Sequence, residues 1–310
     1  MTNDLDIHAS ICAATGATSA RRGARIQHLW RGWGEIVRFH LSGADVESVI
    51  LKHVQPTRSP HTDQGSRRKL RSYHVEQAFY TDHASRCPAR IPAPRLIAVG
   101  LFVLEDLDAA GFSGRARGRL SDARIRQCLD WLATFHAAHL GAPTDGLWPV
   151  GTYWHLDTRP DEHAAMPDGR LKSAASAIDA ALSAARFQTI VHGDAKVANF
   201  CFGPSGVAAV DFQYVGGGCG MKDLVYFLGS CLDDAGLARH ADGLVDHYLT
   251  QLRARLPAHT DADALEAEWR GLLPLAWADF ERFLIGWSPG HRMQGRYAGR
   301  QALRALDALG

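Results

Sequence analysis

The chain has 310 residues, 46% hydrophobic and 22% charged, with a formal net charge of +1. This is the composition of a soluble globular protein, long enough to bury a large core and divide into two lobes. The near-zero charge supplies no bulk field to draw nucleic acid or an anionic membrane. No apolar run reaches the roughly 18 residues of a membrane span, and the acidic start Met1-Thr2-Asn3-Asp4-Leu5-Asp6 lacks a signal-peptide pattern. Six cysteines, at 12, 87, 128, 201, 219 and 231, show no short spacing of a zinc or redox motif. Reduced thiols and a cytoplasmic location are expected.

Residues 1–24 read as an N-terminal extension. Trp30-Arg31-Gly32-Trp33-Gly34-Glu35 then leads into residues 36–41, which alternate apolar and polar as a half-buried strand does. Gly32 and Gly34, ahead of a strand, would let the backbone approach phosphates closely, although hairpins use glycine as well. Ser42-Gly43-Ala44-Asp45 makes a turn, and residues 46–54 form a second strand with Lys52 near its end. Residues 67–85 read as a helix with apolar or aromatic positions at Leu70, Tyr73, Val75, Ala78, Phe79 and Tyr80, and with Glu76 in its middle. Its start, Arg67-Arg68-Lys69-Leu70-Arg71, is a local basic patch. Pro92-Ala93-Pro94 precedes a strand at 95–100, and residues 101–107 form the next.

Beyond 107 the pattern turns helical. Ser121 reads as an N-cap with Asp122 in the first turn, and Ile125, Cys128, Leu129, Leu132 and Phe135 recur at helical spacing. His136 and His139 continue that helix. No third ligand stands at a useful spacing, so they read as packing or surface histidines rather than a metal site. Residues 171–185 read as a further helix.

The chemistry concentrates after it. Thr189, Ile190 and Val191 read as a short buried strand, followed by His192-Gly193-Asp194-Ala195-Lys196-Val197-Ala198-Asn199. Phe200-Cys201-Phe202 and Val207-Ala208-Ala209-Val210 flank Gly203-Pro204-Ser205-Gly206, a hairpin signal that brings Asn199 beside Asp211 at its open end. The unit gathers one carboxylate able to take a proton (Asp194), an amide and a carboxylate able to hold magnesium (Asn199, Asp211), and a lysine able to touch a phosphate (Lys196). Phosphoryl transfer needs such a set, because its catalysis is mostly positioning and charge neutralisation.

His192-x-Asp194-x4-Asn199 followed by Asp211 resembles the catalytic and metal-binding loops of the protein-kinase-like fold. The His-Gly-Asp form is similar to its small-molecule branch: aminoglycoside phosphotransferases, choline kinases and the ecdysteroid-kinase-like proteins. The resemblance runs over about residues 25–300 in motif order. It implies an α+β, two-lobed fold: an N-terminal lobe at 25–106 with an antiparallel sheet and one main helix, and a larger, mostly helical C-terminal lobe at 107–310. It implies ATP and magnesium as cofactors, Asp194 as catalytic base with Lys196 beside the transferred phosphate, and Asn199 and Asp211 as metal ligands. Gly32 and Gly34 would cover the nucleotide, Lys52 would reach its phosphates while paired to Glu76, and the backbone at Glu105, Asp106 and Leu107 would meet the adenine. His192 would anchor the catalytic loop by packing, and Asp223 would hold it by hydrogen bonds. Gln213 replaces the glycine of the usual Asp-Phe-Gly.

Only eleven residues separate Asp211 from Asp223, and no Ala-Pro-Glu follows, which leaves no long segment to dock a peptide. The glycine run at 216–218 lacks the Gly-Lys-Ser/Thr ending of a phosphate loop. The expected function is transfer of the ATP γ-phosphate to a hydroxyl of a small molecule, with a nucleotide-binding pseudokinase as the alternative. Neither the acceptor nor an oligomeric state is encoded in a motif. Asp233, Asp234, Asp279, Glu281, Trp277, Trp287, His291 and Tyr297 of the C-terminal helices are the candidate acceptor contacts, where carboxylates and rings would favour an ammonium group.

Overall fold

The structure is a computed structural model that describes residues 4–56 and 63–310; residues 1–3 of the expected extension lie outside the described residues. The chain forms two compact units. One comprises residues 1–85, 90–115 and 201–210, the other 86–89, 116–200 and 211–310.

The first unit contains α1 (Asp4–Thr15), β1 (Ser19–His28), β2 (Gly34–Ser42), β3 (Ser48–Val54), α2 (Gln64–Ala78), β4 (Pro94–Ala98) and β5 (Leu101–Glu105). The strands form one antiparallel sheet in the order β1-β2-β3-β5-β4. Residues 4–24 of the expected extension supply α1 and the first part of β1. Ile7 and Ile11 of α1 join Val37, Phe39, Val49, Leu51, Leu101 and Val103 in one buried cluster. Alternation along β2 and β3 puts these residues on one face, so α1 covers the apolar side of the sheet. The helix expected at 67–85 is α from Gln64, capped by Asp63 accepting from the Ser66 N–H, and loosens into a π turn over Phe79–His83. The hairpin β7 (Phe200–Gly203) and β8 (Gly206–Ala209) belongs to this unit from Cys201 to Val210 and packs Cys201 and Ala208 on Leu107 and Phe112.

The second unit contains α3 (Asp122–Ala138), α4 (Pro160–Ala164), α5 (Arg170–Ser173), α6 (Ala175–Ser183), β6 (Thr189–Val191), β9 (Gly216–Gly218), α7 (Met221–Cys231), α8 (Asp234–Arg253), α9 (Ala262–Trp287) and α10 (Arg296–Leu309). The single helix expected over 171–185 is two, α5 and α6, broken at Ala174. Every residue of α7 is buried. It passes through the unit's interior, so both its ends are fixed by packing rather than by solvent. β6 pairs antiparallel with β9, which aligns the segment that follows β6 with the one that follows Asp211. Ser121 caps α3 by accepting from the Arg124 N–H. No helix among the described residues is long and apolar enough to cross a membrane. The cysteines are free thiols, four of them buried.

Glu281 of α9 is an anomaly in this core. It is only 9% exposed, its Oε2 has no hydrogen-bond partner, and burial pushes its carboxyl up from 4.5 to about 7. Because the folded value is raised, the fold is penalised for ionising it; the penalty is absent below 4.5 and complete above 7. Glu281→Gln should therefore stabilise the protein at pH 8 by about 2 kcal/mol and leave it unchanged at pH 4.5, as read by urea denaturation at both pH values.

Candidate active site

The candidate catalytic loop, residues 192–199, hangs from Asp223, the third residue of α7. Its fully buried carboxylate accepts hydrogen bonds from the His192 N–H at 2.6 Å and the Gly193 N–H at 2.9 Å, and faces His136 Nε2 at 3.0 Å. Burial opposes ionisation of Asp223, but the hydrogen bonds it accepts, that from the His136 ring foremost, prevail and hold its carboxyl below 3.8. His136 is fixed in turn by the Tyr248 hydroxyl, 2.7 Å from its Nδ1. The His192 ring packs on Trp131 and Phe212, and its Nδ1 accepts from the Asp194 N–H. His136 thus has a role the sequence did not reveal. A helical histidine without a nearby ligand looks like packing, and its partner is 87 residues away in the chain.

Gly193 is required by geometry. Its φ is +76°, and an added Cβ would stand 2.0 Å from the Tyr214 carbonyl oxygen and 2.8 Å from the Thr152 nitrogen. The segment 148–153 is laced to this loop: Thr152 N–H donates to Tyr214 O, Tyr153 N–H to Gly193 O, and Gly151 N–H to Gly217 O. Thr152 itself has φ +103°, a strained value for a β-branched residue. Asp211 also lies in the left-handed region, at φ +73°, where a non-glycine residue costs about 1 kcal/mol or more.

Asp194 is 6% exposed. Its Oδ2 accepts from Lys196 Nζ at 2.6 Å and Asn199 Nδ2 at 2.9 Å, while its buried Oδ1 has no hydrogen-bond partner. Asn199 Nδ2 also donates to the Asp194 carbonyl, which leaves the Asn199 amide oxygen as that side chain's free acceptor. Lys196 is pulled down by burial but raised more by the charge and hydrogen bond of Asp194 and the charge of Asp211, so it stays an ammonium. The same couplings bring Asp194, Lys196 and Asp211 within electrostatic reach of one another, with Asn199 bonded to Asp194. An amide oxygen and a carboxylate are hard oxygen donors of the kind magnesium takes, one or two at a time beside water and phosphate oxygens. Among the described residues no group of three or more His, Cys, Asp or Glu could hold a metal.

Tyr153 and Tyr226, absent from the sequence-derived candidates, flank Asp194. Their rings lie 5.6 Å apart, and the Asp194 charge acts on both phenols. Burial, then the Asp194 charge, keeps both phenols protonated. From Tyr153 the rings of Phe283 and Trp287 continue outward, at 5.1 and 5.5 Å between successive centroids, and Trp287 is half exposed. Of the candidate acceptor contacts, Trp287 and His291, themselves in ring contact, extend this row. Five of the others have partners within the fold. Asp233 caps α8, Asp234 accepts from the Tyr297 N–H, Asp279 holds Trp154 and Arg282, and Trp277 packs on Tyr297. Their pattern in sequence could not show that these carboxylates were already engaged.

In the first unit, Lys52 and Glu76 meet as expected: Nζ lies 2.6 Å from Oε2, and both residues are buried, at 5% and 2% exposed. β3 holds Lys52 opposite Ile36 and Phe102, and α2 supplies Glu76. Of the two glycines, Gly32 has φ +71° with open space around it, whereas Gly34 has φ +125° and would place a Cβ 1.9 Å from the His53 carbonyl oxygen. Gly34 is thus required by the pairing of β2 with β3. At the end of β5, Glu105 pairs with Arg90, and the Asp106 side chain accepts from Arg38 and Ser48. The Asp106 and Leu107 carbonyls accept from Ala110 and Phe112 N–H groups, which folds the chain into a tight turn.

A model of the ecdysteroid kinase-like family matches residues 165–259, the stretch that carries the candidate catalytic loop and Asp223. No curated protein matches the chain in sequence. Among solved structures, a putative fructosamine-3-kinase from Thermobifida fusca aligns over 96% of this chain and 98% of its own, at 16% identity and a TM-score of 0.54. A macrolide 2'-phosphotransferase from Brachybacterium faecium aligns over 94% and 95%, at 14% identity and TM-score 0.51. An amicoumacin kinase in complex with AMP-PNP, Ca2+ and Ami aligns over 91% and 87%, at 15% identity and TM-score 0.50. The chain shares the fold of these solved structures.

The Asp223 anchor makes a direct prediction. Its folded carboxyl is depressed, so its stabilisation is present above 3.8 and is lost as pH falls through the folded value. Asp223→Asn should destabilise the protein at pH 7 by about 3 kcal/mol, and the gap to wild type should narrow at pH 3, as read by denaturant unfolding.

Proposed function

We propose that the protein is an ATP- and magnesium-dependent kinase of a hydroxyl group on a small molecule. The observation that carries this reading is the Asp194 carboxylate: one oxygen is held by Lys196 and Asn199, and the other is buried, unpartnered and beside two neutral phenols. A general base needs one oxygen fixed and one open to the proton it accepts. Asp194 would orient the acceptor hydroxyl and take its proton, and the Tyr226 and Tyr153 hydroxyls would help to seat it. Lys196 would carry positive charge towards the transferred phosphoryl group, and Lys52, held by Glu76, would contact the nucleotide phosphates. Asn199 and Asp211 would hold magnesium, which neutralises phosphate charge when bound. Gly32, Gly34 and the backbone at Glu105, Asp106 and Leu107 would line the nucleotide.

The nucleotide and divalent cation of the amicoumacin kinase complex support this cofactor pair. The family match over 165–259 and the short segment from Asp211 to Asp223 support a small acceptor over a peptide. The row of rings from Tyr153 to Trp287 supports an acceptor with an apolar body. The five polar groups Lys52, Glu76, Asp194, Asn199 and Asp211 weigh against a pseudokinase.

Asp194→Asn should leave nucleotide affinity nearly intact and reduce acceptor-stimulated ADP release by roughly a hundredfold or more. Screening wild type and variant against alcohols, amino alcohols, sterols and aminoglycosides tests both the acceptor class and the base; unchanged turnover in the variant removes Asp194 from the mechanism. Asp211→Ala should abolish the magnesium-dependent part of ATP stabilisation in a thermal-shift titration, because the phosphate charge is then uncompensated. A magnesium response equal to wild type would place the ligand elsewhere.

A further inference from the structure

Behind the β6–β9 pair lies a cavity of about 250 Å³, lined by residues including Thr144, Ser183, Thr189, Gly217, Gly218 and Lys222, all within the second unit. Lys222 is the only charged side chain on its wall. It is 1% exposed, its ammonium makes no hydrogen bond to a side chain or backbone group of the described residues, and an Asp279 carboxylate oxygen is 3.9 Å away. That carboxylate is already engaged. Asp279 Oδ2 accepts from Trp154 Nε1 at 2.9 Å and Oδ1 from Arg282 at 2.6 Å. A second carboxylate, Asp179, lies 3.1 Å from His155 and feels the Lys222 and Arg282 charges through space. Two buried cations therefore share one fully buried carboxylate, and the Lys222 ammonium forms no hydrogen bond with the described residues.

A buried charge without hydrogen-bonded partners is costly, so a lysine in this state calls for an occupant that supplies acceptors. The cavity has room for more than a water or two, since water takes about 30 Å³ each in the liquid. Thr144 and Ser183, two hydroxyl-bearing residues, also line its wall. Lys222 also sits in the first turn of α7, where no side chain caps the helix and its dipole favours negative charge. We propose that this cavity binds a small oxyanion, of the short-chain carboxylate or phosphate class, on the Lys222 ammonium. The site is separate from the candidate active site, but Lys222 precedes Asp223, and the cavity wall includes the two strands that bear the candidate catalytic loop and the segment after Asp211. An occupant would thus brace the end of α7 from which the candidate catalytic loop hangs.

The test uses the full chain at constant ionic strength, with acetate or inorganic phosphate replacing chloride, in thermal-shift titrations of wild type and Lys222→Met. Methionine keeps the shape and removes the charge. The expected result is a saturating rise in the wild-type melting temperature of about 2 °C or more that is lost in the variant. A response to both anions assigns the site to oxyanions in general; a response to one names the class. No wild-type response means that water alone satisfies the lysine, and an equal response in Lys222→Met places the anion elsewhere; either result overturns the proposal. If Lys222→Met does not fold, Thr144→Val combined with Ser183→Ala keeps the lysine and should weaken the apparent affinity at least threefold. An unchanged affinity in that double variant would overturn it as well.

Discussion

The buried carboxylate of Asp223 is the constraint on which the rest of the candidate site depends. A carboxylate with no exposure is tolerated only when its oxygens are satisfied, and here the donors are the His192 and Gly193 N–H groups and the His136 ring. That requirement fixes the backbone of the loop from outside, so Asp194 need not fold inward to satisfy it. Asp194 can then spend one oxygen on Lys196 and Asn199 and keep the other unpaired. Desolvation makes Asp223 expensive, and the same low dielectric makes each of its hydrogen bonds strong.

Strain gathers around the same point. Gly193, Thr152 and Asp211 all have positive φ, and two of them are not glycine. Such conformations persist only where surrounding bonds over-determine them. The bonds are present: the segment 148–153 is tied to Gly193 on one side and to Tyr214, Val215 and Gly217 on the other. The loop bearing the candidate base and the segment bearing a candidate metal ligand are thereby held in register by backbone, independently of any side chain that would act on substrate.

The first unit meets an analogous demand in a sheet. Lys52 and Glu76 are both buried, so each is tolerable only in the presence of the other; removing one partner of such a pair costs about 3–5 kcal/mol. Antiparallel pairing on both sides of β3 leaves Lys52 no freedom to slide, because a shift of one residue would turn it to the opposite face. Its position is therefore as fixed as that of a core residue.

Much of this was legible in the linear chain. Period-two alternation marked β2, glycine and proline punctuation marked the hairpin after Asn199, and Ser121 marked the start of α3, because each is a local preference of the backbone. The spacing His192-x-Asp194-x4-Asn199 followed by Asp211 survives in sequence because one loop and one hairpin carry all four residues. The pairing of Lys52 with Glu76 was inferred through resemblance, not from their spacing. The roles of His136, Tyr153 and Tyr226 were not legible, since each acts on a residue dozens of positions away and looks like ordinary helix or loop packing. Nor could the chain show that Asp279 was taken by Trp154 and Arg282 while Lys222 formed no hydrogen bond with the described residues. Sequence determined which local elements form and which chemical groups are present. Only the tertiary structure decided which buried charges find partners, because that depends on which side chains the packing of distant helices brings within hydrogen-bond reach.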